Sequence, residues 1–205
     1  MESKFFTCPI FFTLVAPAFF DEIEKNPVRC PDPSKALEMV SVIESARKEG
    51  DSVGGVIETV VKGCPVGLGD PCFDKLEALL SHAIMSIGTV KGIEFGDGFA
   101  ATLKRGSENN DAFTIENGKV KTKTNAAGGT LGGISSGEDI IFRAAIKPTS
   151  SITKSQETVN MDGQGQSLEV HGRHDPCICP RAVPVLEAMT AITILDAFLV
   201  QKTLS

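Results

Sequence analysis

Arg181-Ala182-Val183-Pro184-Val185-Leu186-Glu187-Ala188-Met189-Thr190-Ala191-Ile192-Thr193-Ile194-Leu195-Asp196-Ala197-Phe198-Leu199-Val200-Gln201-Lys202-Thr203 decides how this chain folds. The run reads as one long helix, apolar nearly all round at Val185, Met189, Ile192, Leu195, Phe198 and Leu199. A helix of that kind is buried on more than one side, here between sheets. Upstream, helix and strand signals alternate. Asp32-Pro33-Ser34 is a cap for a helix to about Glu49, with Ala36, Leu37, Val40, Ile43 and Ala46 on one face. Ser52 to Lys62 is rich in β-branched residues, and Pro71 through Ile87 has helical apolar spacing. Gly92–Phe95 and Phe99–Leu103 read as strands, Lys104 to Asn125 as a polar, mobile excursion, and Glu138 to Ala145 as a strand or short helix. Two βαβ-like units and a buried helix predict an α/β (α+β) chain with a layered architecture, all in one domain over residues 1–205.

Composition narrows the classes. With 205 residues and 41% hydrophobic content the chain buries a real core. A net charge of −6 excludes the basic footprint that nucleic acid requires. The six cysteines are scattered, and only Cys177 and Cys179 lie close, so no zinc site is indicated. They read as reduced, mostly buried thiols of a cytoplasmic protein. Residues 1–20 read as an apolar, irregular leader. Phe5 to Phe20 holds six of the twelve phenylalanines in 16 residues, too short for a membrane span and interrupted by Pro9 and Pro17.

Three segments carry chemistry. Gly172-Arg173-His174-Asp175-Pro176-Cys177 sets a guanidinium and a carboxylate two residues apart, on one face if the segment is extended. The first suits phosphate or carboxylate, the second a general base. Ala126 to Gly137 carries five glycines in the ten residues from Gly128, which permit positive φ and close backbone approach. Lys147-Pro148-Thr149-Ser150-Ser151 adds a cation, a stiff residue and three hydroxyls, in a turn able to form an anion-binding concavity. No P-loop pattern is present. Read singly, each segment has a plain alternative: a surface ion pair, a flexible hairpin and a polar linker.

Read together, and with Cys30-Pro31-Asp32-Pro33, Gly50-Asp51-Ser52-Val53-Gly54-Gly55, Gly67-Leu68-Gly69-Asp70-Pro71, Lys91-Gly92-Ile93-Glu94-Phe95-Gly96-Asp97-Gly98-Phe99 and Arg181-Ala182-Val183-Pro184, the chain resembles the chorismate synthase family. The resemblance runs from about Phe20 to Leu199, the C-terminal portion of the family's length. It implies a β-α-β sandwich of antiparallel sheets around central helices, here incomplete, in a homotetramer. The implied reaction is the 1,4-elimination of phosphate from 5-enolpyruvylshikimate 3-phosphate to chorismate, with reduced FMN as cofactor and no membrane or nucleic-acid partner. Lys147, Pro148, Thr149, Ser150, Ser151, Gly132 and Arg173 match flavin contacts. Asp175 matches the catalytic carboxylate that takes the proton from flavin N5.

His174 is expected to point away, and His82 and His171 receive no role. Gly88 and Thr89 stand where the family usually has Asn-Ala at a flavin contact, so a side-chain amide is lost and backbone contacts remain. The family's N-terminal half, with both catalytic histidines and most substrate arginines, has no counterpart between Met1 and Phe20. The alternative function is therefore a non-catalytic remnant that binds FMN or phosphate, or only oligomerises. Whether the chain draws on NADP to reduce its own flavin is not legible in these residues.

Overall fold

A computed structural model describes residues 2–8, as backbone, and 22–204. The rest of the apolar leader lies outside the described residues. Within the leader, Glu2–Cys8 is a regular strand, β1.

The core is a four-stranded antiparallel sheet. Its members are β1, β2 (Gly55–Lys62), β3 (Val90–Phe95) and β8 (Ile140–Ile146), in the order β1-β2-β8-β3. Period-two alternation decides its faces. Ile140, Phe142, Ala144 and Ile146 of β8 are buried, as are Ile57, Thr59 and Val61 of β2. Two helices cover this face, α2 (Leu76–Met85) and α4 (Cys179–Thr203), burying Leu76, Leu80, Ile84, Ala182, Val183, Leu186 and Ile194 in one cluster. On the opposite face Glu58, Arg143 and Glu94 stand in register across β2, β8 and β3. Arg143 pairs with Glu94 at 3.1 Å, while burial pushes the Glu58 carboxyl up.

β2, α2 and β3 form a split crossover, because β8 inserts between the two strands and runs antiparallel to both. The chain is thus a mixed α/β fold with antiparallel sheets: this four-stranded sheet with its helix layer and, among the described residues, three two-stranded hairpins. Among the described residues the far side of α4 is open: Val185, Ile192, Leu195 and Leu199 are 44%, 62%, 51% and 52% exposed. The expectation of a helix buried on more than one side is met on one side only.

α1 (Pro33–Lys48) follows its cap. The Asp32 carboxylate accepts from the N–H groups of Ser34 and Lys35 at 2.8 and 3.1 Å, with Pro33 in the first turn. Three other expectations shift. α2 begins at Leu76, because Asp70 and Asp74 form a bridge across a turn ahead of it. Gly98–Leu103 is a 3-10 helix and not a strand; Gly96 and Gly98 at positive φ turn the chain, and Glu94 accepts from the Phe99 N–H at 3.0 Å.

The polar excursion is ordered. It holds a short helix, α3 (Gly106–Asn109), and a hairpin of β4 (Phe113–Glu116) and β5 (Lys119–Thr122). Asn117 and Gly118 turn that hairpin, both at positive φ. Two further hairpins are β6 (Thr130–Leu131) with β7 (Ile134–Ser135), and β9 (Gln156–Val159) with β10 (Gly165–Leu168).

Candidate functional site

The start of β2, the end of β8 and the start of β3 share one edge of the sheet, since Gly55 and Val90 both register with Ile146. Sequence-distant segments meet there. The Lys147 N–H donates to the Thr89 carbonyl at 3.0 Å, which joins Gly88-Thr89 to Lys147–Ser151. The turn between α1 and β2 ties the same strand exit to the Arg173 segment. Ser52 Oγ donates to the Thr149 carbonyl at 2.6 Å, and the Val53 N–H to the Pro176 carbonyl at 2.8 Å. Gly54 lies so close that a Cβ there would come within 2.2 Å of the Ile146 carbonyl oxygen and 3.0 Å of Pro148. Farther along, Lys154 Nζ pairs with Asp51 at 3.0 Å and its N–H with the Gly50 carbonyl at 3.0 Å. The Ser52 N–H and then Lys154 hold the Asp51 carboxyl below its ordinary value, and Asp51 in turn raises Lys154.

The Arg173 loop is pinned at both ends, by Val170 N–H to the Ile152 carbonyl at 3.3 Å and by the Val53–Pro176 bond. Between the pins, Arg173 is exposed. The plain alternative for this segment, a surface ion pair of Arg173 with Asp175, is absent among the described residues. Gly172 at φ 152° and the absence of strand pairing break the two-residue alternation, and Asp175 Oδ2 instead meets Arg181 Nη1 at 2.9 Å. His174 folds back, its Nε2 3.0 Å from the Val170 carbonyl, in keeping with the structural role expected of it. Behind Asp175, the thiol of Cys179 hydrogen-bonds to the Cys177 sulfur and draws the Cys177 thiol down to about 7, against the effect of burial. As donor in that bond, and buried, Cys179 is pushed up.

Gly132 does not join this cluster. It sits in the turn between β6 and β7 ahead of the first residue of β8, while Lys147 follows the last, and seven strand residues span roughly 20 Å. The glycine loop instead braces the start of α2, where the Gly133 carbonyl accepts from Leu76 N–H at 2.8 Å and Thr130 Oγ1 donates to Glu77 at 2.8 Å.

The gathered residues fit an anionic, hydroxyl-seeking ligand. Lys147 and Arg173 are exposed cations. Thr149 Oγ1 is buried without a hydrogen-bond partner among the described residues, a cost that a ligand group offsets. Gly88 faces open space, so backbone approach there is unobstructed.

A family model described as chorismate synthase matches residues 9–199. The chain belongs to the chorismate synthase family. It is 53% identical over 182 residues to a chorismate synthase of Bacteroides fragilis (strain YCH46), covering 89% of this chain and 51% of that protein. To one of Parabacteroides distasonis it is 56% identical over 180 residues, covering 88% and 50%. A crystal structure of chorismate synthase superposes with a TM-score of 0.76 at 27% identity, over 97% of this chain and 57% of that one. The chain spans about half the length of the curated relatives it matches.

Sequence reasoning named the family and most of the segments that meet. It gave no role to Ser52, Gly54 or Arg181. Gly50-Asp51-Ser52-Val53-Gly54-Gly55 was a visible signal, because two consecutive glycines after a helix mark close backbone approach.

Proposed function

We propose that this chain carries the flavin-binding side of a chorismate synthase active site, acting in the 1,4-elimination of phosphate from 5-enolpyruvylshikimate 3-phosphate. The observation that carries the reading is the meeting of Gly88-Thr89, Lys147–Ser151 and the Arg173–Pro176 segment at one sheet edge through direct hydrogen bonds and the turn at Ser52. Reduced FMN, when bound there, supplies the electron-rich ring chemistry of the reaction. Lys147 and Arg173 attract the phosphate-bearing ligand as fixed cations. Thr149, Ser150 and Ser151 supply hydroxyls and backbone N–H donors. The Thr89 carbonyl is occupied by Lys147, so Gly88 offers the free backbone at that contact. Gly132 enters the reading only as a contact for the other end of an extended ligand. Asp175 is the proton acceptor: Arg181 engages Oδ2 and fixes the carboxylate, leaving Oδ1 to take the proton from the site. The same reading has the chain work in the cytoplasm as a homo-oligomer, a tetramer in the family, with the open face of α4 supporting association.

The test is complementation. The chain is co-expressed with the N-terminal half of the Parabacteroides distasonis relative and given photoreduced FMN and the enolpyruvyl substrate without oxygen. Release of phosphate together with chorismate, abolished by Asp175→Asn, is the expected result. A well-folded pair that binds FMN and yields no chorismate overturns the catalytic reading.

A further inference from the structure

The turn from Gly50 to Gly54 contacts both the strand exit that carries Lys147–Ser151, with its continuation to Lys154, and the Arg173–Pro176 segment. Gly50 and Asp51 hold Lys154, through the Gly50 carbonyl and the Asp51 carboxylate at 3.0 Å each. Ser52 holds Thr149 at 2.6 Å. Val53 holds Pro176 at 2.8 Å. Gly54 packs without a side chain on the Ile146 carbonyl and Pro148. These links differ in kind. The Asp51–Lys154 pair is exposed, so it contributes little to holding the site. The Ser52 bond is short, half-buried and made to the backbone of the residue whose hydroxyl is left without a partner. With its carbonyl anchored, the Thr149–Ser150 peptide has a fixed orientation, which fixes where the N–H of Ser150 points and where the Thr149 side chain leaves the backbone.

We propose that Ser52 is a positioning residue of the flavin site: it acts through the Thr149 carbonyl to preorganise the hydroxyls and N–H groups of Thr149–Ser151 for the ligand phosphate. The inference rests on the reading of Lys147–Ser151 as the cofactor segment. Preorganisation raises affinity by removing ordering cost before the ligand arrives, not by adding a contact. Ser52 therefore affects ligand binding without touching the ligand. Its hydroxyl is the group required, so threonine, which keeps a hydroxyl on the same carbon, restores the function while alanine does not.

The test uses the full 205-residue chain with FMN as probe, read by quenching of flavin fluorescence, alongside urea unfolding. Ser52→Ala is expected to weaken FMN binding about 3–10-fold, the net worth of one hydrogen bond. Ser52→Thr restores it to within about twofold, and Asp51→Asn leaves it unchanged. Lys147→Ala reports on the underlying reading. If FMN binding is saturable and depends on Lys147 while Ser52→Ala binds as well as the unaltered chain, the positioning role is overturned and the flavin reading stands. If Ser52→Ala and Ser52→Thr lose urea midpoint and affinity together, Ser52 is structural and the proposal falls. If the unaltered chain shows no Lys147-dependent FMN binding, the flavin reading fails and takes the proposal with it.

Discussion

Asp175 is paired with Arg181, in the first turn of α4, at 2.9 Å. Arg173, two residues before Asp175, is exposed and makes no ion pair with it. The first turn of the helix thus supplies the partner of the carboxylate, and the loop cation stays exposed. In the complemented enzyme, Asp175→Asn is expected to lower turnover by roughly 10²–10⁴-fold with FMN affinity largely kept. Lys147→Ala does the reverse, weakening FMN binding more than turnover at saturating flavin. Single-turnover rates beside FMN titrations decide it, and a wild-type rate for Asp175→Asn removes the residue from the mechanism. Arg181→Ala, breaking a largely exposed pair, costs at most about 1 kcal/mol in urea unfolding.

Two glycines of the site separate folding from binding. At Gly54 an added methyl meets the Ile146 carbonyl oxygen at 2.2 Å, so Gly54→Ala forces strand exit and turn apart and costs roughly 1–3 kcal/mol. At Gly88 a methyl meets nothing within 4 Å, so Gly88→Ala leaves the urea midpoint unchanged. An effect of Gly88→Ala confined to FMN affinity places the ligand against that backbone. Equal destabilisation by the two variants contradicts the packing described.

The cysteine pair gives a pH dependence with a definite sign. Cys177 titrates near 7 in the fold against an ordinary thiol value of 9.0, drawn down by the bond from Cys179. A depressed folded value favours the thiolate, so this contribution to stability is present above pH 9 and is lost as pH falls through about 7. Ultraviolet thiolate absorbance of the native chain is expected to show a step near pH 7 that Cys177→Ser abolishes. A step unchanged in that variant assigns it to another group.

The open face of α4 sets solution behaviour. Val185, Ile192, Leu195 and Leu199 form a stripe at helical spacing on a helix whose other side is in the core. Single soluble domains rarely expose such a stripe. The chain is expected to bind a hydrophobic dye and to self-associate in sedimentation. Ile192→Glu with Leu195→Lys reduces both and preserves the urea midpoint. Dye binding that survives the double substitution locates the exposed surface elsewhere.

What the sequence made legible follows from the range of the forces involved. Asp32-Pro33-Ser34 and the β-branched run before Lys62 are local signals, and α1 and β2 follow them. Asn117-Gly118 is as plain a turn signal, but it is set in a stretch whose overall polarity masks the hairpin. The 3-10 turn at Gly98–Leu103 depends on Glu94, five residues before Phe99, and apolar alternation alone does not report it. The site divides the same way. Lys147–Ser151 and Arg173 are recognisable as motifs, whereas the role proposed for Ser52 depends on a bond to a residue 97 positions away. The exchange of Arg173 for Arg181 at Asp175 required the loop's path, which no spacing encodes.

The insertion of β8 between β2 and β3 has a consequence for the chain during its synthesis. Glu58 is made long before its neighbour in the sheet, Arg143. At about 5–20 residues per second the interior edge of β2 stands unpaired for roughly 4–17 s. Gly55–Lys62 is apolar and β-branched, the composition that templates intermolecular strands. Glu58, midway along it, is the one acidic residue in that stretch. In the finished sheet it is a liability, desolvated enough to raise its carboxyl. A charge at that position disfavours intermolecular pairing along β2, so Glu58→Val is expected to increase aggregation on refolding, and an unchanged refolding yield contradicts it.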